Sequence, residues 1–222
     1  MNITGLAVSF AFIGIVVAIG FLMAYSKKFS PEVVRKFIHI AVSNWWILLL
    51  IFFDSLQTAV VGPVVFIFIN AAAVYSKFAD KLGVRDWKRN LGLVYFPVSL
   101  LIIVILTYTE MIPFWAGTIG VFAMGYGDGL AALIGYSCGK RKIMHDKSLV
   151  GSAVMFIVTA VLILIVGFVY GLAGSSFFSF LLFTIVISVF LTLIELFTPW
   201  GLDNITVPIG GALLSAFLLG AL

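Results

Sequence analysis

The sequence predicts an all-α, polytopic transmembrane helical bundle of about eight helices, within a range of roughly seven to nine. Three observations predict it. Of 222 residues, 63% are hydrophobic and 10% charged, with a mean hydropathy of +1.25, whereas about a quarter of the residues of a soluble globular domain are charged. Apolar stretches near the roughly 20 residues needed to cross a bilayer recur along the whole chain. All 13 Lys and Arg lie in three connections between those stretches or at their edges.

In order, the predicted helices cover residues 3–25, 31–53, 57–76, 91–109, 112–138, 151–170, 177–197 and 205–222. The first has no positive charge before it and Lys27 and Lys28 after it, the reverse of a secretory signal, so a retained span with its N-terminus outside is expected. The second opens with Ser30 as N-cap and Pro31 at the first helical position, both favoured there. The fifth is long for one span, and Gly125, Gly127 and Gly129 alternate around Asp128, so a broken helix is expected. The eighth is nearly as short as a span can be. With no internal repeat, low-complexity tract or linker, residues 1–222 read as one membrane-embedded domain.

Basic residues orient the set. Lys27, Lys28, Arg35 and Lys36 follow the first helix; Lys77, Lys81, Arg85, Lys88 and Arg89 follow the third; Lys140, Arg141, Lys142 and Lys147 follow the fifth. The alternate connections, around Asp54, around Glu110 and over 171–176, carry none. Both termini are then expected outside, with the basic loops and the 198–204 turn cytoplasmic. A single cysteine, Cys138, excludes a disulfide framework or a thiolate zinc site within the chain. No nucleic-acid partner is expected, and the oligomeric state is not legible, although Gly210 and Gly211 would allow close helix packing.

Charge within a membrane costs about 2.5–3.5 kcal/mol at a helix centre, which makes an intramembrane acid a functional candidate. Asp128 is the clearest, on the order of 15 Å from the basic end of a regular fifth helix. The alternative is that it caps a broken helix or pairs with an Arg to hold the bundle. Downstream come Gly135, Gly139-Lys140-Arg141-Lys142 and Lys147-Ser148, then Gly151. Glycine-rich turns with lysines and a hydroxyl at a helix mouth suit a polyphosphate, while the same lysines also serve as plain topology determinants. This is not a P-loop: the glycine spacing is one residue short, and Arg141 stands where Ser or Thr would hold magnesium. On helix two, Arg35, His39 and Ser43 share a face, with Lys36 beside them; His39 alone would read as a donor to a neighbouring carbonyl. Glu195, Asp203 and Asn204 complete the polar set. The Asp203-Asn204 pair reads on its own as a helix cap, and together with Asp128 as hard oxygen ligands for magnesium.

Taken in order, these residues resemble the membrane-embedded CTP-dependent lipid kinases, the dolichol, phytol and yeast-type diacylglycerol kinase family. The resemblance runs from helix two to the C-terminus. It is carried by Arg35-Lys36 with His39, by Arg89-Asn90 with Gly92 and Tyr95-Phe96-Pro97, and by Gly127-Asp128-Gly129 through Gly135. Gly139-Lys140, Lys147-Ser148 with Gly151, and Glu195 before Asp203-Asn204 and Pro208 complete it. It implies transfer of the γ-phosphoryl group of CTP, with Mg2+, to the hydroxyl of a polyprenol, phytol or geranylgeraniol, or diacylglycerol. The short chain is similar to the bacterial and archaeal members, which implies a prokaryotic plasma membrane and an active site on its cytoplasmic face.

The same resemblance makes Asp128, Arg35 and Lys36 the essential polar groups, with Asp203, Asn204 and Glu195 behind them. Asp128 and Asp203 are then expected to hold magnesium. Lys140, Lys142, Lys147 and Arg89 would grip phosphates, with Asn90, Gly127, Gly129, Gly135, Ser148 and Asn204 also on the nucleotide side, and His39 or Glu195 would accept the hydroxyl proton. Two other classes compete. A cytidylyltransferase acting on a lipid phosphate shares CTP and magnesium, but its acid-rich C-terminal signature is not visible. A membrane carrier would also use an intramembrane acid, yet the outer half shows no polar gate beyond Asn44 and Asn70.

Overall fold

A computed structural model describes residues 3–76, 90–139, 141–144, 147–174 and 176–220. Each of the eight predicted segments is helical: α1 (Ile3–Ser26), α2 (Pro31–Phe52), α3 (Leu56–Tyr75), α4 (Gly92–Tyr108), α5 (Phe114–Cys138), α6 (Leu149–Tyr170), α7 (Phe177–Phe197) and α8 (Asp203–Leu219). Six are long and apolar enough to cross a bilayer, and α4 and α8 are shorter apolar helices of 17 residues each. The chain is an all-α polytopic helical bundle.

α5 is the central element. Buried residues make up 67% of its apolar window, against 22–33% for the other five long spans. It does not break as its glycines suggest. Residues Ala123–Asp128 form a π-helical stretch that joins Phe114–Phe122 to Gly129–Cys138 without interruption. A π stretch widens one turn and commonly marks a functional position; here it carries Asp128. The glycines serve packing. A Cβ at Gly127 would lie 2.8 Å from Met155 Sδ on α6, and side chains at Gly125 and Gly129 would collide with Ser43 and Ile40 on α2.

α8 closes on α5 in the same way. A Cβ at Gly211 would lie 3.1 Å from Gly120 Cα, and one at Gly120 would strike the Pro208 carbonyl. Small residues that let backbones approach are how helices gain contact where lipid offers no hydrophobic drive. Two apolar clusters fill the interior, one around Ile119, Met124, Met155, Ile163 and Ile187, the other around Trp45, Trp46, Leu49, Ile103 and Val104. In the second, Trp46 Nε1 donates to Thr118 Oγ1 at 2.8 Å and the Tyr108 hydroxyl to the Phe53 carbonyl at 2.8 Å, while the buried Trp45 Nε1 has no partner among the described residues.

One feature departs from the all-helical expectation. After α5, β1 (Lys142–Met144) pairs antiparallel with β2 (Lys147–Ser148). Ser148 then caps α6, its hydroxyl accepting from the Gly151 N–H at 3.1 Å. The ends of α5 and α7 and the starts of α2, α6 and α8 converge at one end of the bundle, around a cavity of about 660 Å³.

Candidate active site

The start of α2 builds one wall of the cavity. Ser30 caps the helix by accepting from the Val33 N–H at 3.4 Å, and Pro31 follows at its first position. Glu32 favours the positive end of the helix dipole and takes Arg35 in an ion pair at 2.6 Å. One residue on, Lys36 is only 6% exposed and forms an ion pair with Asp128, 3% exposed, across 92 positions of sequence. Of the readings open for Asp128, pairing with a cation of a neighbouring helix is therefore realised, by Lys36 rather than an Arg, and its side chain caps nothing in α5. His39 lies one turn deeper, with Nε2 3.3 Å from the Met124 carbonyl and 4.0 Å from Asp128 Oδ2. Donation to that carbonyl occupies Nε2 and leaves the lone pair of the neutral ring on Nδ1.

The opposite wall comes from α7, α8 and the hairpin. Lys147 places Nζ 2.8 Å from Glu195 Oε1 and 3.1 Å from Asp203 Oδ2, and it also donates to the Glu195 carbonyl. Burial alone would lower the Lys147 ammonium, but the carboxylates of Asp203, Glu195 and Asp128 outweigh it and hold the group above the ordinary lysine value. It is charged at neutral pH. Between α7 and α8 the chain reverses through two left-handed residues, Trp200 (φ 57°) and Gly201 (φ 79°). The first of these is strained for a non-glycine residue. The reversal brings Asp203 to face Glu195. Asp203 Oδ1 accepts from the backbone N–H and Nδ2 of Asn204, at 3.1 and 3.0 Å, and Asn204 Nδ2 also donates to Gly201 O at 3.0 Å.

Three helices thus deliver three acids to one place. One oxygen from each of Asp128, Glu195 and Asp203 lies within 4.8 Å of the others. Carboxylates this close repel one another unless cations intervene, and Lys36 and Lys147 are the cations. Their hard oxygens suit magnesium or calcium, so the set fits the expected metal chemistry, with Glu195 added to the pair Asp128 and Asp203.

Of the residues singled out from sequence, Arg35, Lys36, Asp128, Gly135, Lys142, Lys147, Ser148, Glu195, Asp203 and Asn204 line the 660 Å³ cavity. His39 and Asn90 do not; they line a second cavity of about 100 Å³ on the far side of Arg35 and Lys36. Gly127 and Gly129 line neither, against their expected nucleotide role, because their missing side chains make room for α6 and α2. Arg89 and Lys140 lie outside the described residues. Ser148 reaches the cavity with its hydroxyl already engaged by Gly151. The sequence reading passed over Glu32 and Trp200, both of which line the large cavity. The spacing of Glu32 three positions before Arg35 was the available signal for the first; Trp200 carried none. Asn70, expected in the outer half, lies five residues before the end of α3 and lines the second cavity.

The chain is similar to a phytol kinase. That protein, from Synechocystis sp., is 28% identical over 229 residues, an alignment covering 95% of this chain and 89% of the relative. No protein-family profile matches the chain, and neither does any solved structure.

Proposed function

We propose that this protein is a membrane lipid-alcohol kinase that transfers the γ-phosphoryl group of CTP to the hydroxyl of a polyprenol, phytol-type alcohol or diacylglycerol. The observation that carries the reading is the acid cluster of Asp128, Glu195 and Asp203, set in a 660 Å³ cavity whose walls also hold Arg35, Lys36, Lys142 and Lys147. Phosphoryl transfer is catalysed almost entirely by positioning and charge neutralisation, with little need for a strong base. Acids for a metal and cations for phosphate oxygens in one pocket supply both. Similarity to a phytol kinase along nearly the whole chain supports the same class of reaction.

In this reading Asp128 and Asp203 hold magnesium, which when bound would neutralise charge on the β- and γ-phosphates. Lys142, Lys147 and Arg35 grip phosphate oxygens, joined in this proposal by Arg89 and Lys140. The alcohol oxygen forms a bond to the γ-phosphorus as the bond from that phosphorus to the β–γ bridging oxygen breaks. CDP leaves, and the hydroxyl proton passes to His39 or Glu195. The basic end of the bundle is cytoplasmic, in a prokaryotic plasma membrane, with both termini outside.

The test is a matrix of γ-labelled nucleotides against lipid alcohols with detergent-purified protein. The expected result is label in the lipid and release of CDP. Pyrophosphate release with cytidine left on the lipid would overturn the kinase reading in favour of a cytidylyltransferase, and no nucleotide turnover with any alcohol would overturn it outright.

A further inference from the structure

Ammonium groups already fill the acid cluster. Lys147 Nζ stands 2.8 Å from Glu195 Oε1 and 3.1 Å from Asp203 Oδ2, and it donates to the Glu195 carbonyl as well. Asp203 has little left to offer a metal. Its Oδ1 accepts twice from Asn204, at 3.1 Å from the backbone N–H and 3.0 Å from Nδ2, which leaves Oδ2 as the oxygen on which an ion would land. That oxygen holds Lys147. An octahedral magnesium lies about 2.0–2.1 Å from its ligands, so an ion on Oδ2 would come within a few ångströms of Nζ, where like charges repel.

We propose that Lys147 is a displaceable plug of the metal site: its ammonium occupies Glu195 and Asp203 until the phosphates of an incoming nucleotide draw it away, so that metal and donor bind together. The inference rests on the kinase reading above and adds the order in which the site fills.

Charge favours exchange over addition. Three carboxylates against two ammonium groups leave one negative charge. A divalent cation added to that set would leave one positive charge in excess, and an uncompensated buried charge is costly. With Lys147 moved onto phosphate oxygens, the three carboxylates face Lys36 and the metal, and the charges cancel.

The two lysines are mounted differently. Lys36 belongs to the long helix α2 and is 6% exposed. Lys147 belongs to the two-residue strand β2, paired to an exposed β1, and its side chain is 19% exposed and lines the cavity. A flexible four-carbon stem with three rotatable donors lets such an ammonium swing between oxygen partners. Lys36 is the fixed counter-ion and Lys147 the exchangeable one.

The experiment measures metal binding without turnover. Full-length, nucleotide-free protein in detergent is titrated with Mn2+ as a magnesium surrogate, and the free ion is followed by its electron paramagnetic resonance signal. A site open less than about a tenth of the time weakens its ligand about tenfold or more, so Lys147→Met should bind the ion at least about tenfold tighter than wild type, a gain that a misfolded protein would not show. Lys147→Gln should gain similarly, and Lys147→Arg, which keeps the charge, should not. Lys142→Met removes the same charge from an exposed, cavity-lining position and should change the affinity by no more than about twofold, since exposed charges are screened. Wild type binding the ion as tightly as Lys147→Met, or Lys142→Met gaining as much, would overturn the plug. A second arm adds the non-hydrolysable β,γ-methylene analogue of CTP under equilibrium dialysis. The rise in ion retained by wild type should exceed that in Lys147→Met about fivefold or more, the scale of coupling between two ligands; equal rises would overturn the exchange. A nucleotide-free gain in Lys147→Met from a protein that turns over no nucleotide would uphold the plug and sink the kinase reading, while turnover by a wild type whose metal site is open would do the reverse.

Discussion

The two ends of the bundle are built from the same helices by different physics. At the far end, Trp46 donates to Thr118 and Tyr108 to the Phe53 carbonyl, while Leu49, Ile103 and Val104 pack around them. At the cavity end, α2, α5, α7, α8 and the β1–β2 hairpin bring together Glu32 with Arg35, Lys36 with Asp128, and Lys147 with Glu195 and Asp203. Stability alone does not select the second arrangement, since apolar replacements of buried ion pairs are often as stable or more so. The far end holds the fold; the cavity end spends stability on charges that a charged ligand can use.

Removing the Asp128 charge should break the comparison hardest. Asp128→Asn should lower lipid phosphorylation on the order of a thousandfold or more, the scale of losing a group that manages transferred phosphoryl charge. It also leaves Lys36 buried without a partner, at about 3–5 kcal/mol. Asp128→Asn combined with Lys36→Met should therefore recover thermal stability and recover no activity; near-normal turnover in either protein would remove Asp128 from the chemistry. At the far end Trp46→Ala should do the opposite, costing about 3–5 kcal/mol of stability as a large core side chain is lost. Assayed below its lowered Tm, that variant should keep kcat.

A smaller effect is expected at Lys147. Lys147→Met should cut kcat/KM for the nucleotide about a hundredfold, in the range seen when one preorganised donor is removed. Because the folded-state value of this lysine is raised, the stability it draws from its carboxylates is complete below the unfolded-state value and lost as pH rises through the folded one. Lys147→Met should accordingly flatten the alkaline limb of a stability–pH profile, and an unchanged limb would place the loss elsewhere. Smallest of all, Thr118→Val removes the acceptor of Trp46 Nε1 and should lower Tm by an amount worth about 1–3 kcal/mol without altering kcat.

Much of this was legible in the residues. The eight helices followed from apolar length, because in a bilayer every backbone polar group must be satisfied within its own segment. Ser30 and Pro31 marked the start of α2 correctly, and the expensive charges pointed to the cavity end. Where the reading failed, it failed on relations between helices. Gly127 and Gly129 looked like a ligand approach and are packing surfaces. Asn70 belongs to the cavity end and not the outer half, since it lies five residues before the end of α3 and the basic 77–89 connection follows. The β1–β2 pair is too short to leave a periodic signal.

Sequence alone determined the membrane class, the number of helices and which side chains are too costly to be there without purpose, since each depends on local length, polarity and the cost of charge in lipid. Tertiary structure decided that Asp128 meets Lys36 across 92 positions, that Lys147 is held between Glu195 and Asp203, and that one wall separates a large charged cavity from a small apolar one. These depend on helix rotation and on which small residues face each other, and packing between helices sets both.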